Sequence, residues 1–272
     1  MNEKQLRSIR GSTIGKVETI NELPLNELPL LGEKWLESKI QRMRNLLKIA
    51  EPDEALYREI MLSLGYPKNK VQFLELALMT PFKIIKTLGE REKIEKALLY
   101  RAGFIDSKEG LPDDFDFSLR MEKSIWNFRG IRPANHPEKR IKGISYLLSE
   151  TSSCGLVDFF VKRLNEGIQS HLTPKKAQNY VNKIMDFKGV GIQRKREMFF
   201  NIILPFSIAS LENKNSEVIK FLNTIFSTHP PLSENSITKR FKSFVDESTY
   251  DKLNVSTKTY FGIHLFVKEK LR

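Results

Sequence analysis

From Glu33 onward the apolar residues recur at helical spacing, and no convincing period-2 run bounded by hairpin turns interrupts them. Leu36, Ile40, Met43, Leu47 and Ala50 follow at steps of four, three, four and three, which is one face of a helix. A chain patterned this way buries itself by packing helix on helix, so the expected fold class is all-α. Prolines and glycines cut the pattern into short pieces. Pro52 stands at the first turn of a helix closed at Gly65, and Asn69 reads as the cap of the next. Thr80-Pro81 opens a fourth that Gly89 stops, and Ile94, Ala97 and Leu98 mark a fifth closed by Gly103.

Beyond a loop rich in Gly, Pro and Asp (Asp106 to Asp116), helices are expected around 117–128, from Pro137 through Leu148, and around Phe159 to Leu164. Others follow from Thr173-Pro174, from Ile192 to Ser210, and around Glu217–Phe226, Ser236–Val245 and Lys258–Leu271. About a dozen short helices with no fixed repeat period predict an irregular multi-helix bundle in preference to a regular solenoid. Residues 1–32 differ. They hold an imperfect tandem, Glu22-Leu-Pro-Leu25 and Glu27-Leu-Pro-Leu30, in which each proline biases its predecessor toward extended backbone. An extended lead-in over 1–32 is expected before a helical domain over 33–272, which the loop at 106–116 can subdivide. The leucines of the lead-in would dock on the body of the protein or on a partner.

Composition narrows the function classes. Lys and Arg total 45 against 33 Asp and Glu, a formal net charge of +12. Such an excess attracts polyanions, DNA or RNA among them, because neutralising phosphates releases condensed counterions. A Lys-, Asn- and Ile-rich bias from AT-rich coding DNA yields the same charge without selection for binding. The single cysteine, Cys154, excludes an internal disulfide framework and a cysteine-based zinc site. No apolar run approaches the roughly 18–20 residues of a membrane helix, and MNEKQLRSIR lacks a signal peptide's apolar stretch. A soluble cytoplasmic protein with no membrane partner is expected, its oligomeric state open.

Two basic segments stand out. Lys188-Gly-Val-Gly-Ile-Gln-Arg-Lys-Arg196 lies between helical patterns, the shape a helix-hairpin-helix module resembles. In that reading Gly189 and Gly191 let a phosphate approach the backbone at a helix N-terminus, and Lys188, Arg194, Lys195 and Arg196 supply charge. Lys195 stands where such modules usually carry a small residue. The competing reading is an ordinary turn with a solvated basic helix start, although cations there oppose the macrodipole by roughly a few tenths of a kcal/mol each. The second segment runs from Trp126 to Arg140. It offers Arg132 and Arg140 to phosphates and Trp126 to a base, against a structural reading in which Asn135 or His136 caps the helix at Pro137 and Trp126 is core.

Catalytic signals are sparse. His136, His171, His229 and His264 are dispersed, without HExxH spacing, and neither a GxSxG elbow nor a Walker loop occurs. Asp113, Asp114 and Asp116 read as a solvated or capping acidic loop. Asp186-Phe-Lys188 matches a nuclease motif in letters but falls at a helix end. Cys154 has no adjacent histidine to activate it. No catalytic residue, metal ligand or cofactor is therefore assigned.

Several stretches together resemble an uncharacterised bacterial family, domain of unknown function 2851. They are Trp35–Arg42, Leu56–Gly65, Phe73–Ala77, Glu95–Gly103, Arg132–Arg140 and Asn201–Pro205, of which Arg-Pro-x-Asn-x-Pro is the most specific. Longer members look like two-part proteins whose N-terminal half resembles the restriction-endonuclease-like fold. This chain resembles the helical half, with order and spacing matching over most of Gly32 to Arg272. Some members end in a cysteine cluster that looks metal-binding, and Leu253 to Val267 carries none. The resemblance implies nucleic-acid work by association. The resulting expectation is a non-catalytic helical module that binds nucleic acid or assists a separately encoded nuclease-like partner, with a protein–protein interaction scaffold as the alternative.

Overall fold

The computed structural model describes residues 27–65, 68–166, 168, 171–212 and 215–270. Among these residues the protein is all-α, with no strand. The first helix, α1 (Leu28–Leu47), begins inside the second Leu-Pro-Leu repeat, so helix replaces the expected extended backbone from residue 28. Pro29 explains the early start. Its fixed φ suits a helix's first turn, where its missing N–H is no loss. The first repeat, 22–25, lies outside the described residues.

Helices α2 (Pro52–Leu64), α3 (Lys70–Met79), α4 (Phe82–Leu88) and α5 (Arg91–Arg101) follow the spacing read from the sequence. Their caps come from farther away than expected. Asn69 makes no capping bond; its amide exchanges two hydrogen bonds with the backbone of Asn127, at 2.9 and 2.8 Å, and stitches the loop before α6 (Pro137–Thr151) to α3. The first turn of α2 caps two other helices. Glu54 accepts from the Phe82 N–H at 2.7 Å to start α4, and Asp53 accepts from the Val157 N–H at 2.9 Å to start α7 (Leu156–Asn165).

Thr173 caps α8 (Pro174–Ile184) as its sequence predicts. Next, α9 (Ile192–Met198) runs through a π turn at Phe199–Ile203 into α10 (Leu204–Leu211). There the Leu204 N–H reaches back five residues to the Phe199 carbonyl. The widened turn makes room for Pro205, whose ring would clash with the preceding turn of a regular helix.

One core holds most of the buried residues of α1 to α11 (Ser216–Thr228), and Leu111, Phe115 and Met121 belong to it. A smaller cluster joins Leu28 of α1 to Phe241, Tyr250, Ile263 and Val267, from α12 (Ser236–Lys242), α13 (Glu247–Leu253) and α14 (Thr257–Lys270). Leu31 packs against the same cluster, so Leu28 and Leu31 dock on the body of the protein while Leu30 stays half exposed. Gly32 and Gly262 let α1 and α14 cross closely, because a Cβ on either would collide with the other helix's backbone. The segment between α11 and α12 straps α14. His229 Nδ1 meets the Pro230 carbonyl at 2.6 Å and Thr257 Oγ1 at 3.0 Å, and the Asn235 amide reaches Tyr260 Oη and His264 Nε2. Burial drives both imidazoles down to about 4.

Candidate nucleic-acid interface

The two basic segments meet in space, and glycine is the reason. Gly189 has φ +84°, and a Cβ there would strike Gly143 of α6 and the Tyr146 ring. A Cβ on Gly143 would strike the Gly189 carbonyl in return. The turn between α8 and α9 thus lies directly on α6, and Gly189 is required for helix packing. Gly191 differs: its Cβ position faces open space, and its φ of −66° suits any residue.

The cations divide by the direction each faces. Lys188 is exposed at the turn. Lys195 is buried, its ammonium 4.7 Å from the centre of the Phe187 ring, and its stem occupies the packing position expected of a small residue. Burial lowers its pKa, against the opposing pull of Asp186 and Glu150. Arg196 is half-buried and donates to Asn182 Oδ1 at 2.9 Å. Arg194 pairs with Glu197 at 2.7 Å.

From the other segment, Arg140 donates to the Leu64 carbonyl and joins the start of α6 to the end of α2. Burial, then the neighbouring Arg194, push its pKa down to about 10, with Glu197 opposing. Arg132 is exposed. Trp126 is core: its indole N–H donates to the Ala102 carbonyl at 2.8 Å and its ring meets Phe73 edge-on, so it presents no face to a base. His136 precedes α6 without a side-chain capping bond and packs edge-on against Phe128.

The structure brings Arg140 within electrostatic reach of Arg194 and Glu197, and leaves Lys188 exposed at the turn that packs on α6. It assigns Lys195, Arg196 and Gly189 to packing. Asp116 accepts from the Ser118 backbone and hydroxyl, as a turn-forming carboxylate does, and Cys154 is exposed in the turn before α7. Among the described residues, no three His, Cys, Asp or Glu side chains gather as a metal site needs. No described helix is long and apolar enough to cross a membrane.

Sequence reasoning missed one basic group. Lys39 and Arg42 of α1 lie beside Glu59 of α2, which is 6% exposed and takes a 2.5 Å bond from Arg42. Lys70 of α3 acts electrostatically on both Lys39 and Glu59, and Lys268 of α14 acts on Lys39. The i, i+3 spacing of Lys39 and Arg42 was the one local signal; the rest comes from tertiary structure.

The profile of the family described as "Protein of unknown function (DUF2851)" matches residues 15–235. The chain belongs to that family. No curated protein and no solved structure matches it. The family match holds both basic segments and stops at Asn235, the residue that caps α12, so α12 to α14 lie beyond it.

Proposed function

We propose that this member of the family is a non-catalytic, cytoplasmic helical module that binds the phosphate backbone of nucleic acid, either directly or while serving a separately encoded nuclease-like partner. The observation that carries the reading is the seating of the Gly189 turn on α6, with Arg140 of α6 within electrostatic reach of Arg194 and Lys188 exposed at the turn itself. Two guanidiniums brought near one another repel, and a phosphate meeting both relieves that repulsion. The net charge of +12 supplies long-range attraction. Labelled mixed-sequence duplex DNA and single-stranded RNA, titrated at low salt, test it. Binding that weakens steeply with salt, and weakens similarly for all sequences in K188E and R132E, supports the reading; no binding at low salt ends it.

A scaffold role has its own supporting observation. Val71 and Leu78 of α3, seven residues apart and so on one helix face, are 72% and 50% exposed. Binding of a protein partner that V71D/L78D abolishes, with nucleic-acid affinity unchanged, favours that alternative.

A further inference from the structure

We infer that the Arg101 guanidinium, buried at the end of α5, is the seat of a small monovalent anion of halide size, a site separate from the basic segments and independent of the nucleic-acid reading. Glu59, Lys195 and Arg101 are the charged side chains buried among the described residues, and Arg101 is 0% exposed. Glu59 has Arg42 at 2.5 Å, and Lys195 keeps 8% of its surface open. Arg101 has neither outlet. Its Nε and Nη1 meet no hydrogen-bond partner, and its Nη2 reaches the Asp116 carbonyl at 3.5 Å. Among the described residues no carboxylate comes within ion-pair distance of it.

An arginine stays protonated even where burial pushes its pKa down, as burial does here with the Asp116 charge opposing. The fold must therefore answer a full charge and not merely a dipole. The neighbouring groups are engaged or carry no charge. Asp116 is exposed, and its carboxylate accepts from the Ser118 N–H at 2.9 Å and the Ser118 hydroxyl at 2.6 Å. The centre of the Phe115 ring lies 4.6 Å from the guanidinium carbon, and its π face attracts the cation without supplying a counter-charge. Two donor nitrogens and a net charge call for an acceptor that is itself negative; a water satisfies the donors alone. Complete burial sets the size, because a phosphodiester chain cannot reach the group and a single-atom anion needs the least room. Phe115, Asp116 and Met121, whose N–H donates to the Arg101 carbonyl at 2.7 Å, all belong to the irregular segment between α5 and α6. The anion enters when that segment lifts, and then holds it down.

The test compares full-length wild type and R101M, melted in sodium chloride and in sodium gluconate at matched ionic strength, from about 10 to about 500 mM. Screening of the net charge is common to both salts, whereas gluconate is too large for a closed site. An anion bound with about 10 mM affinity raises the wild-type melting temperature in chloride by roughly 5 °C over gluconate at the top of that range. R101M, which fills the place with an uncharged flexible chain, is expected to fold and to melt alike in both salts. A bromide-soaked wild-type crystal is expected to show an anomalous peak beside the guanidinium, and hydrogen exchange at Phe115 and Met121 to slow in chloride.

Equal melting of the wild type in chloride and gluconate overturns the inference, even beside a bromide peak, which then marks binding at crystal concentration only. A chloride effect that persists undiminished in R101M assigns the anion to exposed cations and overturns it too. So does a crystal in which the Asp116 carboxylate has swung onto Arg101 with no bromide beside it. If R101M fails to fold, the wild-type salt comparison and the bromide map decide the question on their own.

Discussion

The turn at Gly189 and the group around Glu59 are both basic, but they were built in opposite ways. The first is a run in sequence, Arg194-Lys-Arg196, and the structure scatters it: Arg194 turns to Glu197, Lys195 to the Phe187 ring, and Arg196 to Asn182. Consecutive helix residues lie about 100° apart, so three adjacent cations cannot share one face. The second group has no run. Lys39 and Arg42 share a helix face because they are three apart, and Arg42 meets Glu59 of α2 only through tertiary packing. A string of charges in sequence is thus a poor guide to a charged face, and spacing is a better one.

The contrast can be broken most forcefully at the turn. Gly189→Ala forces a side chain into positive φ and into Gly143, and is expected to destabilise the protein by about 3 kcal/mol in urea unfolding. A loss below about 0.5 kcal/mol, the scatter of ordinary surface changes, means that the turn does not lie on α6.

Acid separates the regions a second way, because α14, which carries Lys268, is strapped by His229 and His264. Their folded pKa values, about 4, lie below the ordinary 6.5, so the unfolded state binds more protons between those values. The stability they allow is complete above pH 6.5 and is lost as pH falls toward 4, by about 2 kcal/mol at pH 5 for the fully buried His229. Hydrogen exchange is expected to show α14 opening on acidification before α6.

Glu59→Gln sharpens the comparison from the other side. It weakens the charge-assisted bond from Arg42 to a nearly buried carboxylate, so a stability loss of about 1 kcal/mol is expected in urea unfolding. An unchanged stability means that the Arg42–Glu59 pair does not tie α1 to α2. Lys195→Met is expected to do least, changing stability by under about 1 kcal/mol and leaving affinity unchanged, since its ammonium is buried over Phe187. A marked loss of affinity would return Lys195 to the interface.

Much of the fold was legible in the sequence. The four-three spacing of Leu36, Ile40, Met43 and Leu47, the Thr173-Pro174 start and the Gly89 stop each correspond to a helix feature. Three helical features escaped. The helix expected around 117–128 is absent: the segment is irregular apart from a single 3-10 turn at Lys123–Ile125, and its Met121 and Trp126 side chains pack into the core from loop backbone. Pro29 biases its predecessor toward extended backbone, but a proline suits a helix's first turn equally well, and that is where it stands. The short α13 buries only Tyr250 and so has no apolar stripe; the signal present was Asp246, which caps it by accepting from the Thr249 N–H at 2.9 Å. The candidate site was less legible. Gly189 was placed correctly as a turn, but its partner is Gly143, 46 positions earlier, and a contact of that separation leaves no local trace. Arg140 was named for phosphate, yet it also holds the Leu64 carbonyl.

The account stands on basic side chains from separate helices meeting a phosphate chain together. The direct measurement is the affinity of the wild-type protein for a mixed-sequence duplex across a series of salt concentrations. A log–log slope of about −3.6 or steeper, matching at least about four neutralised phosphates, is the expected result. A slope near zero, or no detectable complex at about 50 mM salt, would contradict it.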